Sequence, residues 1–555
     1  MTGRPLDTAD VLRIRWLGRL PYDEAWDLQR TIWEGRVFGR TRDDYMLLLE
    51  HPHTYTIGRV GDGSNLIIPE AQLADIGASL HYVDRGGDIT YHGPGQLVGY
   101  PIGAVPRLPN GFDMVGHVRR IEAMLIASLA DVGVEAWTEP GLTGVWTRLG
   151  KVAAIGVRVA RGVAMHGFAL NVDPDLAYYS KIVPCGIADR PVTSLQELLG
   201  SSVRMEEVVQ AVARHAPAVF ASPATEAQYG AFSGRASSAP FDVDARVAAG
   251  VFSPRRRDEV PITVRGLLAG EPERPEWMRV KAELDSQGYR DLKKLMRGLD
   301  LNTVCEEAKC PNIYECWGQG TATFMLLGDK CTRACSFCDV TTGRPDVVDM
   351  DEPTRVAQAV AALELEHAVL TSVNRDDLPD GGSAVFASTV KEIRTLVPGC
   401  SVETLIPDFK GDLTALETLL AEAPEVLNHN TETVLRLQRD IRTAANYGRS
   451  LTLLGRAKRM RPEGNVKSGL IVGMGETEAE VMGALADLRA VGVDIVTIGQ
   501  YLRPTPRHRP IDRYVAPEEF DRYTTAGRRL GIPHVEAGPL VRSSYRAREA
   551  LVAAH

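Results

Sequence analysis

The chain has no stretch of about 18 apolar residues, no apolar segment near its start, no excess of basic residues, and almost no cysteine in its first 304 positions. The first absence argues against a membrane-spanning helix. The second, in a charged and proline-containing Met1–Val11, argues against a secretory signal and leaves a cytoplasmic location as the expectation. Lys and Arg number 63 against 72 Asp and Glu, a net charge of -9, which is the wrong sign for a typical nucleic-acid binder. It leaves room for a local basic patch that grips an acidic protein. Only Cys185 precedes residue 305, six cysteines crowd between Cys305 and Cys338, and Cys400 stands apart. A secreted disulfide scaffold spreads its pairs; crowding of this kind points to metal ligation or catalysis in a reducing compartment. What remains, 44% apolar and 24% charged over 555 residues, is an ordinary globular chain long enough for two or three domains.

The texture changes twice. Residues 11–220 alternate short apolar runs with Gly and Pro turns, residues 222–262 are rich in Ala, Ser, Pro and Arg, and a second patterned region begins near Trp277. We expect domains at 1–224 and 266–555 joined by a linker at 225–265. In the first, helices at 22–34 and 116–132 mix with strands at 45–49, 81–83, 144–146, 152–159 and 163–170, which predicts an α+β domain. In the second, strands at 322–327, 367–373, 401–406, 425–428, 467–473 and 493–499 alternate with helices at 353–365, 383–396, 412–421, 450–460 and 477–490. That alternation predicts a parallel sheet of about six units, an α/β partial TIM barrel, with chemistry at the C-terminal ends of the strands.

One such end carries CTRACSFC, with Cys331, Cys335 and Cys338 spaced C-x3-C-x2-C. Three thiolates on one loop hold three irons of a [4Fe–4S] cluster and leave the fourth open. The amine and carboxylate of S-adenosylmethionine suit that vacant position, and an electron passed into the sulfonium breaks a C–S bond to release an adenosyl radical. Phe337 is placed to shield the cofactor. Zinc is the alternative, but it prefers four protein ligands and this loop supplies three with no histidine. Cys305, Cys310 and Cys316 have a different spacing, C-x4-C-x5-C, which alone is also compatible with a zinc knuckle. Asp376, Asp377 and Asp380 follow a strand and either cap the next helix or position a ligand. Gly473 and Gly475 permit close backbone approach to a ligand, and Cys400 reads as a small buried hydrophobe.

In the first region, Cys185 stands in KIVPCGIAD, a turn-rich polar setting that favours an exposed thiol. Lys151, in GLTGVWTRLGKVAAIGVR, is either a solvent-facing hairpin lysine or the ammonium that lowers the pKa of that thiol. RGGDITYHGPGQ, residues 85–96, either presents backbone N–H groups to an acyl or phosphate group or is simply a tight loop.

The second region resembles the radical S-adenosylmethionine enzymes and, among them, lipoyl synthases, through CEEAKCPNIYECW (305–317), CTRACSFCDV (331–340), TSVNRDDLPDGG (371–382), NHNTETV (428–434), KSGLIVGMGET (467–477), GQYLRPT (499–505) and GPLVRSSYRA (538–547). The resemblance implies that Cys305, Cys310 and Cys316 hold an auxiliary [4Fe–4S] cluster whose fourth ligand is Ser544, with Ser543 the close alternative. It implies a reaction that inserts two sulfurs, taken from that cluster, at C6 and C8 of an octanoyl chain, one adenosyl radical being consumed per insertion. Arg548 departs from the family, which usually has glycine there. The first region resembles octanoyltransferases, relatives of lipoate and biotin ligases, through HPHTYTIGR (51–59), RGGDITYHGPGQLVGYPI (85–102), HGFALNV (166–172) and PCGIAD (184–189). This implies a mixed sheet flanked by helices, with Cys185 as acyl-thioester nucleophile and Lys151 as its activator. Arg85, Gly86, Gly87, Asp88, Ile89, Thr90, Tyr91, His92, Ala154, Ile155, Gly156, Gly167, Phe168 and Ala169 would form the acyl site, with His92 assisting proton transfer.

Together the resemblances imply a bifunctional lipoylation enzyme with two [4Fe–4S] clusters and S-adenosyl-L-methionine as cofactors. Its partners would be octanoyl-acyl carrier protein, the lipoyl domains of 2-oxoacid dehydrogenase E2 subunits, the glycine cleavage H protein, and a reductant such as ferredoxin or flavodoxin. The alternatives are that one half alone is active, or that an ATP-dependent ligase-like half precedes an Fe–S redox module.

Overall fold

The computed structural model describes residues 9–184, 190–220, 222–232, 272–278, 294–303, 312 and 323–554. Cys185, Cys305, Cys310 and Cys316 lie outside them. The chain separates into two compact units, residues 1–234 and 235–555.

The first unit is built on an eight-stranded mixed sheet in the order Thr225–Tyr229, Leu12–Arg19, Asp44–Glu50, Gln96–Ile102, Val163–Asn171, Gly150–Ala160, Leu142–Thr147, Trp137–Glu139. The first three strands run parallel to one another and the rest pair antiparallel. Alternation places Leu12, Ile14 and Trp16 in one core with Met46, Leu48, Val145, Val152 and Leu170. Helix Met114–Asp131 closes that core with Ile121, Met124, Leu125 and Leu129, spaced to fall on one face. Its start is fixed by Asp113, which accepts the Gly116 N–H at 2.8 Å. A separate three-stranded sheet pairs Thr54–Ile57 with Ser79–Tyr82 and Ile89–His92.

The expected linker starts too early. Residues Thr225–Tyr229 form an edge strand on Leu12–Trp16. Glu226 draws the strand in by pairing with Arg13 at 3.0 Å and Arg15 at 2.7 Å, so a polar segment gains a place in the sheet through charge rather than apolar burial. The rest of the expected linker, residues 233–265, lies outside the described residues.

In the second unit seven parallel strands follow one another in chain order: Thr323–Leu326, His367–Ser372, Ser401–Leu405, Val426–Asn428, Asn465–Val472, Ile495–Gln500 and His534–Gly538. Asn302–Thr303 adds antiparallel at the first edge, and among the described residues no ladder joins the two ends of the series, which is the partial barrel expected. All but the last parallel strand, His534–Gly538, are buried nearly throughout, as sheets covered on both faces require. The last strand, and helix Pro517–Arg529 before it, extend the series beyond the six strands read from sequence. No helix among the described residues is long and apolar enough to cross a membrane.

Candidate functional site

In the first unit, strand Ile89–His92 divides its residues by alternation. Ile89 and Tyr91 point into a small core with Tyr55, Ile57, Leu73 and Ile182. Thr90 and His92 instead line a cavity with Arg85, Gly86, Gly87, Ala154, Ile155, Gly156, Gly167, Phe168 and Ala169. Eleven of the expected acyl-site residues therefore meet in one place. Asp88, Ile89 and Tyr91 do not line this cavity: the two-residue period turns the latter pair away, and Asp88 is engaged by Asn65 at 2.5 Å. The glycines keep the cavity open, since a Cβ on Gly156 would lie 2.8 Å from the Gly86 oxygen and one on Gly167 2.2 Å from the Gly99 oxygen.

Arg85 braces the cavity wall, donating to the Thr56 carbonyl at 2.6 Å and the Thr56 hydroxyl at 2.8 Å. His92 sits 2.9 Å from the Gln96 side-chain oxygen through Nδ1 and 3.3 Å from the Thr56 hydroxyl through Nε2. With Gln96 donating its own amide to Tyr91 and Asn171, the proton belongs on Nδ1. Burial, reinforced by His51 and Arg85, holds the His92 pKa well below its ordinary value, so the ring stays neutral.

Lys151 lines an adjoining cavity with Trp146, Asn171, Tyr179, Pro184 and Arg190. Pro184 and Arg190 bracket the segment that carries Cys185. Lys151 is fixed by its backbone, which exchanges hydrogen bonds with Pro191 and Thr193 at 2.9 and 3.0 Å, and its ammonium stands 5.3 Å from the Trp146 ring centre. It is half-buried in a cavity wall, not a solvent-facing hairpin lysine. Thr90 and Ala154 line both cavities, so the two share a wall.

In the second unit, Cys331, Cys335 and Cys338 line a cavity of about 490 Å³ together with Phe337 and residues at or past the ends of the parallel strands: Asn374, Asp408, His429, Gln500, Ser543 and Ser544 among them. Sequence reasoning gave no individual role to Asn374, Asp408, His429 and Gln500, though Asn374 and Gln500 lie in loops expected at this rim; their place at or just past strand ends was the available signal. The cysteine loop is tied down on several sides. Arg333 grips Asp376 with two bonds at 2.7 and 2.8 Å and Asp408 with one at 2.6 Å. His508 donates from Nε2 to the Cys338 carbonyl at 2.9 Å, with Thr505 on its other nitrogen at 2.8 Å. The N–H groups of Arg333 and Asn374 both point at the Cys331 sulfur at 3.4 Å.

The three aspartates after the second strand divide their work. Asp376 anchors Arg333, Asp377 pairs with Arg375 at 2.9 Å, and Asp380 accepts the N–H groups of Gly382 and Ala384 at the start of helix Ser383–Leu396. Gly473, at φ +98, is required: a Cβ there would lie 2.1 Å from the Gln500 amide. Asn312, inside the second cysteine motif, donates to the Leu540 carbonyl at 2.6 Å, three residues before Ser543. Arg548, on the tail helix Ala547–Ala553, pairs with Glu366, just before strand His367–Ser372. Cys400 is 4% exposed, as a buried hydrophobe would be.

The donor set fits an iron–sulfur cluster. Burial pushes the Cys335 thiol up to about 11 and raises Cys331 and Cys338 as well, so these thiols ionise readily only when a cation discharges them. Three sulfurs with two N–H donors aimed at one of them suit soft thiolate ligation of iron. Among the described residues no three His, Cys, Asp or Glu side chains converge on a single metal ion. Thiols that each bind a different iron need not converge.

Residues 21–216 match the lipoyl protein ligase A/B catalytic domain, and residues 325–488 the radical SAM superfamily. The lipoyl synthase of Rubrobacter xylanophilus is 56% identical over 280 residues, 50% of this chain and 87% of that protein. That of Thermus thermophilus is 54% identical over 297 residues, 52% of this chain and 91% of that protein. A solved bipartite lipoate protein ligase from Thermoplasma acidophilum is 16% identical, with a TM-score of 0.32, covering 40% of this chain and 87% of that one.

Proposed function

Because the chain belongs through its C-terminal half to the lipoyl synthase family and carries a lipoyl protein ligase A/B catalytic domain ahead of it, we propose that one polypeptide carries out two consecutive steps of lipoyl-group formation. The first moves octanoyl from octanoyl-acyl carrier protein to a lysine of a lipoyl domain. The second inserts sulfur at C6 and C8 of that octanoyl group.

In the first step the Cys185 thiolate attacks the carrier thioester, the carrier thiol leaves, and octanoyl-Cys185 forms. The lysine ε-amine then attacks that thioester, loses a proton as the amide forms, and the Cys185 thiolate leaves. Splitting the transfer in two lets each bulky carrier bind in turn. The Lys151 ammonium lowers the thiol pKa and keeps it a nucleophile and a good leaving group. The support is positional: Lys151 shares its cavity with Pro184 and Arg190 on either side of Cys185, and that cavity shares a wall with the glycine-lined one.

In the second step, bound S-adenosylmethionine and one [4Fe–4S] cluster supply the hydrogen-abstracting adenosyl radical, and a second cluster supplies sulfur. Cys331, Cys335 and Cys338 hold the first cluster. Arg333 and His508 fix the loop that bears them, and Phe337 helps keep water out. Cys305, Cys310 and Cys316 hold the second cluster with Ser544, or with its neighbour Ser543. The observation that carries this reading is that the cysteine loop and both serines line one cavity, and that Asn312 donates to the Leu540 carbonyl, next to Val541 in that cavity's wall.

The test is anaerobic iron and sulfide analysis joined to mass spectrometry of a lipoyl domain incubated with octanoyl-acyl carrier protein, S-adenosylmethionine and reductant. Two cubes require roughly eight irons per chain, and the lysine should gain octanoyl and then two sulfurs. Zinc in place of iron, or about half that iron content, would overturn the sulfur-insertion step. Octanoyl transfer that needs ATP would make the first half a ligase instead.

A further inference from the structure

The cavity beside the cysteine loop takes small molecules and a flexible side chain, so an electron supplied by a protein has to enter from the loop's other side. That side presents Ser336. Its N–H donates to the Ile441 carbonyl at 2.9 Å, and its carbonyl accepts the Arg509 N–H at 3.0 Å. Two segments therefore flank the outer edge of the loop. One carries Arg439 and the other Arg507; both are exposed, and neither guanidinium has an ion-pair or hydrogen-bond partner among the described residues. Arg509, part-exposed, uses Nε on the Met474 carbonyl at 2.9 Å and keeps its charge. Against these three cations stands the exposed carboxylate of Asp440; Arg436 and Glu480 neutralise each other at 2.6 Å. On a chain of net charge -9, this is a local reversal of sign beside Ser336, the residue next to Cys335.

We infer that Arg439, Arg507 and Arg509 form the docking face for a small acidic one-electron carrier protein, which delivers its electron across the Ser336–Phe337 edge of the cysteine loop. The assignment rests on the radical reading of the site. The carrier loses one electron for each S-adenosylmethionine cleaved; that electron discharges the sulfonium as the C–S bond breaks, leaving methionine and the adenosyl radical. Long-range attraction between a basic face and an acidic partner acts on encounter rate and weakens with salt.

The test uses the full chain, anaerobically loaded with iron and sulfide, and flavodoxin as the acidic carrier. Binding of oxidised flavodoxin is titrated at low and high salt, and 5′-deoxyadenosine formation is followed with reduced flavodoxin or with dithionite. Arg439→Glu/Arg507→Glu should weaken flavodoxin binding and flavodoxin-driven turnover by about tenfold at low salt, flatten the salt dependence, and leave dithionite-driven cleavage unchanged. Equal flavodoxin binding by variant and parent would overturn the docking face. So would a loss of thiolation with dithionite, which would assign the patch to the lipoyl domain. Absence of cleavage by the parent with dithionite would instead count against the radical reading itself.

Discussion

Removing the guanidinium of Arg333 leaves the carboxylates of Asp376 and Asp408 facing each other in a largely buried setting, where Asp408 is fully enclosed. The Arg333 cation outweighs burial and holds the Asp408 carboxyl far below its ordinary range. Arg333→Met is expected to cost about 3–5 kcal/mol in denaturant unfolding of the apoprotein, as the loss of one member of a buried ion pair does. Arg333→Lys should recover only part of that, because an ammonium cannot bridge two carboxylates with a planar fork. Glu403 gives a pH signature. Burial alone would raise its carboxyl, but Lys467 at 2.9 Å, with His367 nearby, brings it down to about 2. A group with a depressed folded pKa stabilises above its unfolded value, about 4.3, and loses that contribution as pH falls toward the folded value. Acid unfolding monitored between those limits should therefore be less steep in Glu403→Gln. In the first unit, Lys151→Ala should lower ATP-independent octanoyl transfer by about 10²-fold or more, with 5′-deoxyadenosine formation unaffected.

Among the elements, those whose apolar spacing matches a single period were legible. Helix Ser383–Leu396 and strands His367–Ser372 and Ser401–Leu405 lie within a residue of where the pattern puts them. Leu12–Arg19 was not, because its polar positions are buried as well: Arg13 and Arg15 are drawn in by Asp43 and Glu226, and no local pattern announces partners 30 and 213 residues away. Gln96–Ile102 was hidden by Gly99 and Pro101, which read as turn residues, yet Gly99 is needed because the Phe168 ring occupies the space of its Cβ at 2.1 Å. The three-cysteine motif was visible as spacing. Its supports were not, since Asp376, Asp408 and His508 lie 43, 75 and 170 residues from the loop residues they hold. Capping is the element-scale lever: Thr477 and Glu480 satisfy each other's backbone at the start of helix Glu478–Ala490. Thr477→Ala should lower stability by about 1 kcal/mol in thermal unfolding, with S-adenosylmethionine cleavage retained.

For the whole molecule, the two proposed activities share a substrate, since the octanoylated lysine of the first is the starting material of the second. A covalent tether raises the local concentration of the second site around a product domain. Mixed, separately made halves should therefore form lipoyl groups more slowly than the full chain when enzyme is dilute, and at the same rate when it is concentrated; the measurement is lipoyl-domain mass against time at both concentrations. The bracing of the cysteine loop has one more consequence. Its anchors are strung along the sequence from Asn374 to Arg509, so a nascent chain has no fixed metal pocket until Arg509 has been made. Iron delivery has to wait until that residue has emerged and folded into place, and translation products cut off before it, lacking the final clasp, would be passed over.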